Sequence, residues 1–180
     1  MDAEITGWIN ALAGQSRAAD DIMIGISQIG VPIIVFFVIL QWWSQSHRSH
    51  VRHAAICAGL AFLLGLAINQ GLLLFIHRLR PYDAGVSHLL IARSADWSFP
   101  SDHATASIAV AATFAIQMLP RRALLLFAIA SLVCVSRVFI GTHYLTDILG
   151  GAATGGVAAM IVRLVYREGN RLDRIATRIF

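Results

Sequence analysis

Lysine is absent from this 180-residue chain: all fourteen basic residues are arginine. The absence rules out any chemistry built on a lysine amine. Genomic base bias explains it as simply as function does, because most of these arginines fall in connections between apolar runs. Arginine nevertheless brings a planar fork that suits phosphate, where lysine would bring a point charge. Charge of either sign is scarce: 13% of residues are charged and 57% hydrophobic, against roughly 25% charged in a soluble domain. There are two cysteines, Cys57 and Cys134, both inside apolar runs. That excludes a disulfide framework or a cysteine metal site, and both read as small packing groups. The N-terminal segment carries Asp2 and Glu4 and no cluster of positive charge, so a cleaved signal peptide is not expected.

What the chain does have is apolar length. Several runs reach roughly 16 to 23 residues, the length that crosses a bilayer. The pattern predicts one all-α domain over 1–180, a polytopic membrane helical bundle of about five spans. Residues 1–19 read as an interfacial amphipathic helix, with Ile5, Trp8, Ile9, Leu12 and Ala13 at helical spacing. Spans are expected at about 22–43, 54–77, 101–119, 123–140 and 147–165, so that 20–166 holds all of them. Trp42-Trp43 ends the first, as interfacial aromatics do. Residues 167–180 read as a basic tail. Gly151 and Gly155 form a GxxxG pair, which implies close helix packing. Nine arginines fall on the tail side of the membrane and five on the other. Excess positive charge marks the cytoplasmic side, so the tail is expected inside and the 78–99 loop outside.

Three short strings carry the chemistry. They are Arg80-Pro81, then Pro100-Ser101-Asp102-His103, then Ser136-Arg137 followed by His143 and Asp147. Ionisable groups are costly near lipid, so such a cluster is a functional hypothesis by default. Ser101 opens an apolar run and reads as a helix N-cap. That helix start also offers free N–H groups to a phosphate. His103 is either a surface histidine or a proton donor and acceptor. His143 and Asp147 stand four apart, so a carboxylate can orient an imidazole; capping roles for both remain open. Arg80 and Arg137 either snorkel to headgroups or hold phosphate oxygens.

Together the strings resemble the type 2 phosphatidic acid phosphatase superfamily, whose signature is K-x6-R-P, P-S-G-H and S-R-x5-H-x3-D. The third string matches in full. The second matches except for Asp102, which replaces glycine. The first matches only in Arg80-Pro81, because Leu73 stands at the lysine position. The stretch from Phe99 to Thr105 is similar to the bacitracin-resistance branch, which are undecaprenyl-diphosphate phosphatases. The resemblance implies that His143 attacks phosphorus to form a phosphohistidine and that Asp147 orients it. It implies that His103 protonates the leaving oxygen and then activates water. Arg80, Arg137, Ser101 and the helix-start N–H groups would hold the phosphate, and no metal or other cofactor would be required. Asp102 either favours the helix start or holds an arginine such as Arg93. For the charge of the missing lysine, Arg93 is preferred over Arg78 and His77. The implied partners are a polyprenyl diphosphate and the membrane, with no nucleic acid. The implied place is a bacterial cytoplasmic membrane, with the site facing outward. Alternatives are another lipid phosphate (phosphatidylglycerol phosphate, phosphatidic acid or lipid A) or a non-catalytic lipid-binding relative.

Overall fold

The computed structural model describes residues 1–178, which form seven α-helices and no strand. They are α1 (Asp2–Asn10), α2 (Arg17–Leu40), α3 (Arg48–Leu73), α4 (Asp102–Ile116), α5 (Pro120–Phe139), α6 (Leu145–Val165) and α7 (Arg171–Ala176). Four of them, α2, α3, α5 and α6, are long and apolar enough to cross a membrane. The expected third span is α4, which at 15 residues is about 22 Å long and runs from the Asp102 end to the end where Gln117 meets His50 and His53. Its apolar residues serve the protein interior rather than lipid: Ala104, Ala106, Ala109, Val110, Ala111 and Phe114 are all buried. It packs against α3, α5 and α6.

Small residues let α6 lie directly on α4. A Cβ added at Gly151 would sit 2.5 Å from the Ser101 carbonyl oxygen, and one at Gly155 would sit 2.6 Å from that of Thr105. Any side chain there would push the helices apart. The close approach brings the first turn of α6 beside the start of α4, where the Ser101 N–H donates to the Asp147 carbonyl at 3.1 Å.

Several boundaries differ from the sequence expectation. The polar link 44–53 is helical from Arg48, because its buried polar groups find partners: Arg52 donates to the carbonyls of Trp42 and Thr177, and His53 meets Asp173. The tail is likewise held, as α7, against the start of α3. The expected amphipathic helix over 1–19 is α1 followed by a turn, and its buried residues are polar. Thr6 and Asn10 are buried while Trp8 and Leu12 are exposed. Asn10 donates to the carbonyls of His88 and Phe139 and accepts from the His88 N–H. Thr6 accepts from the Leu145 N–H. These bonds pin α1 over the loops that carry the sequence motifs.

Candidate active site

The chain between α3 and α4 folds back over the helix ends. Arg80 is 5% exposed, and its guanidinium donates to the carbonyls of Asp96 and Thr142 and to the Asp96 carboxylate. Across from it, Arg137 sits in the last turn of α5, and the chain turns at Gly141. That turn has φ +82° and lies against the His88 carbonyl, so a side chain there would meet both strain and a clash. His143 follows at once, just ahead of α6.

These segments enclose a cavity of about 120 Å³ whose walls include Arg80, Arg137, His103, His143 and Asp102. Five of the eight site residues named from sequence therefore line one space. Ser101 and Asp147 lie behind the wall. Arg93 is not brought there. Its side chain is 73% exposed, pairs with Asp83 at 3.1 Å and lies over the Tyr82 ring. The loop between Pro81 and Trp97 closes through that pair and through Tyr82–Ser94 bonds, which keeps Arg93 outward. His77 packs at a tilt against the Trp97 ring instead of lining the cavity. Leu73 lines the cavity, so the position where the motif has lysine is an apolar wall.

The two ring nitrogens of His143 have different surroundings. Nδ1 lies 2.8 Å from the Ser98 carbonyl oxygen. A carbonyl only accepts, so Nδ1 carries the proton, and in the neutral ring Nε2 keeps its lone pair. Nε2 faces the Arg80 guanidinium at 3.4 Å. Burial pushes the imidazole below the usual histidine range; Arg137 and Arg80 add to this and Asp147 opposes it. Asp147 does not take the Nδ1 proton, as its spacing from His143 suggested. It is fully buried and 3.7 Å from Nδ1. It accepts from the Ser98 hydroxyl at 2.5 Å and from the Tyr144 N–H at 2.8 Å. Asp147 thus holds Ser98, and the Ser98 carbonyl holds the histidine.

Behind Asp147 stands Arg78. It donates to the Asp147 carboxylate at 2.7 Å, pairs with Asp2 of α1, and lies 3.9 Å above the Tyr144 ring. Neither Arg78 nor Ser98 was picked out as a site residue from sequence, and no local pattern marks them. Asn69 was also missed. It donates to Asp102 at 2.7 Å and to Thr105 at 2.8 Å. As a buried amide in an apolar run it did carry a signal.

Two polar atoms beside the cavity are buried without a hydrogen-bond partner among the described residues: Arg137 Nε and Ser101 Oγ. Arg137 spends Nη1 on Ser27. A buried guanidinium N–H is costly unless paired, and a phosphate oxygen is the partner it suits.

Residues 54–171 match the PAP2 superfamily. The chain is 32% identical over 177 residues to undecaprenyl-diphosphatase BcrC of Bacillus subtilis, covering 96% of this chain and 86% of that one. Among solved structures, Aquifex aeolicus LpxE is similar with a TM-score of 0.72 at 22% identity, over 92% of this chain and 95% of the other. A transmembrane PAP2-type phosphatidylglycerolphosphate phosphatase from Bacillus subtilis is similar with a TM-score of 0.68 at 23% identity, over 94% and 86%. At those identities the solved structures speak to the fold, whereas the family match speaks to descent. The chain belongs to the PAP2 superfamily and is an integral-membrane lipid phosphatase.

Proposed function

We propose that this phosphatase removes the terminal phosphate of undecaprenyl diphosphate through a phosphohistidine, on the outer face of a bacterial cytoplasmic membrane, and so recycles a carrier lipid for cell-wall synthesis. The observation that carries the mechanism is the Ser98 carbonyl on His143 Nδ1. It leaves Nε2 with its lone pair beside Arg80, in a cavity that also holds His103. Nε2 attacks the terminal phosphorus and the bridging P–O bond breaks. Undecaprenyl phosphate leaves, taking a proton from His103. His103 then takes a proton from water, whose oxygen attacks the same phosphorus. The P–N bond breaks, and inorganic phosphate and free His143 result. Arg80, Arg137 and the first N–H groups of α4 stabilise the charge on the phosphoryl oxygens.

The substrate rests on the similarity to BcrC across nearly the whole chain. The orientation rests on arginine distribution: Arg48, Arg52, Arg121, Arg122 and the α7 arginines lie at the end away from the cavity. Phosphate release from undecaprenyl diphosphate, undecaprenyl phosphate, phosphatidylglycerol phosphate and phosphatidic acid, with a chelator present, tests the reading. The highest kcat/KM is expected on undecaprenyl diphosphate and should survive the chelator. Faster turnover of a glycerophospholipid overturns the substrate. Loss of activity to the chelator, restored by a divalent ion, overturns the mechanism.

A further inference from the structure

The end of the molecule away from the cavity carries a second concave surface, and hydrolysis makes no use of it. Although α7 has only six residues, it is fixed in place. Asp173 meets His53 at 2.8 Å with both side chains buried, and Arg52 donates to the Thr177 carbonyl at 2.8 Å. This sets Arg174 and Arg178 against His47, Arg48, His50 and Arg52 around a pocket of about 620 Å³. The remaining lining residues bear hydroxyls, and no carboxylate among the described residues lines it. Some of these groups are already engaged: His50 meets Glu168, and Arg52 meets two carbonyls. Arg174 and Arg178 are exposed. The 26-residue α3 also starts here, with no side-chain cap, so its positive end adds to the basic field.

An apolar groove adjoins this pocket. α2 leans on α5 and barely meets α3. The gap between α2 and α3 has a volume of about 450 Å³ and is lined by residues such as Val38, Trp42, Ile56, Phe62 and Leu63. Trp42 and Arg52 join the two spaces. The Arg52 guanidinium sits 4.8 Å above the Trp42 ring, and its Nε donates to the Trp42 carbonyl at 3.0 Å.

We propose that this joint surface binds one anionic phospholipid, with its phosphodiester in the arginine pocket and one acyl chain in the α2–α3 groove. The groove alone would accept any chain. The pocket adds the selection, because basic pockets at helix ends favour anionic headgroups and a choline or ethanolamine cation would face several arginines. A free phosphate would gain nothing from the groove. The site does not depend on which lipid phosphate the enzyme hydrolyses.

The test is thermal unfolding of the full-length protein in detergent, titrated separately with phosphatidylglycerol, phosphatidylcholine and glycerol 3-phosphate. Phosphatidylglycerol is expected to raise Tm by about 5–10 °C at a hundredfold excess over Kd, and the other two are not. Arg174→Gln with Arg178→Gln should remove at least half of that shift. Gly59→Leu should do the same, because Gly59 lines the groove and has open space beside it, so the new side chain fills the acyl position. Leucine also favours the helix, and each variant's lipid-free Tm reports its fold. An equal shift with phosphatidylcholine, or a full shift in the arginine double variant, overturns the site. A full shift in Gly59→Leu overturns the groove, and an equal shift with glycerol 3-phosphate overturns the lipid.

Discussion

The two ends of the molecule each hold a buried histidine close to an aspartate, and only one looks built for chemistry. At the α7 end, His53 Nδ1 meets Asp173 at 2.8 Å, its Nε2 is engaged by Gln117 and Cys57, and Tyr166 stacks on the ring at 5.3 Å. Every polar position of that imidazole is used inside the protein. At the cavity end, His143 has Nδ1 held by a backbone carbonyl and Nε2 turned toward a cavity and an arginine. The Asp–His distance would rank them the wrong way, since the shorter pair is the structural one. What separates them is whether one ring nitrogen reaches a space that a substrate can enter.

Replacing each histidine sharpens this contrast, and the largest effect in the molecule is expected here. His143→Ala removes the proposed nucleophile and should lower turnover by roughly 10⁴-fold or more while the protein stays folded. His53→Ala leaves the Asp173 carboxylate buried without its partner and should cost about 3–5 kcal/mol of stability, with turnover per folded molecule close to the parent. Activity and thermal unfolding measured on both variants check it. Turnover within tenfold of the parent in His143→Ala would break the comparison outright.

His103 comes next. It supplies a proton to the leaving group in the proposed reaction, so its importance depends on how good that group is. His103→Ala should cost about 10²–10⁴-fold on undecaprenyl phosphate, whose leaving group is an alkoxide. On the diphosphate the leaving group is itself a phosphate, and the loss should be at least tenfold smaller. Equal losses in parallel assays would remove His103 from the proton-transfer role.

Much of the site could be read from sequence because its chemistry is confined to rare residue types at the ends of apolar runs. Arg80, Arg137, His103 and His143 stand out against a background with 13% charge. Close packing of α6 on α4 was likewise visible in Gly151 and Gly155, since small residues four apart leave few other readings. The supporting contacts were not visible. Arg78 meets Asp147 and Asp2 across 69 and 76 residues of chain, and nothing local distinguishes it from a headgroup arginine. On a continuous helix, a place two residues before Arg80 would point Arg78 nearly to the opposite side. α3 ends at Leu73, so the premise fails. Apolar periodicity likewise gave no sign of the contacts that Thr6 and Asn10 make from the polar side of α1.

Arg78 and Arg93 make the same comparison on a smaller scale, between an arginine inside a network and one outside it. Arg78→Ala takes a charged donor from the buried Asp147 carboxylate and should weaken kcat/KM by roughly 2–3 kcal/mol. The loss should appear in kcat more than in KM, because Arg78 does not line the cavity. Arg78→Lys should recover part of it. Arg93→Ala breaks an exposed pair with Asp83 and should cost less than about 1 kcal/mol. Steady-state kinetics on the three variants decide it. A crippling Arg93→Ala beside a silent Arg78→Ala would return the role of a phosphate-binding cation to Arg93.

The smallest effect expected is spectroscopic, and it tests the tautomer on which the proposed chemistry depends. If the Ser98 carbonyl holds Nδ1–H, neutral His143 has its lone pair on Nε2. Burial, with Arg137 and Arg80 nearby, disfavours the imidazolium. The sign then follows: a lowered pKa keeps the ring neutral at higher proton concentration, so the nucleophile survives below the ordinary histidine midpoint of about 6.5. Imidazole ¹⁵N shifts, assigned by comparison with His143→Gln, should show a protonated Nδ1 at pH 7 and a midpoint below about 6.5. The Ser98 hydroxyl bonds Asp147, while the Ser98 carbonyl bonds His143. Ser98→Ala should therefore keep the tautomer, because the carbonyl remains, while the ring orders less well. A protonated Nε2 in the parent enzyme would place the lone pair on the side away from the cavity. In that case His143 could not attack from where it stands, however close Asp147 lies.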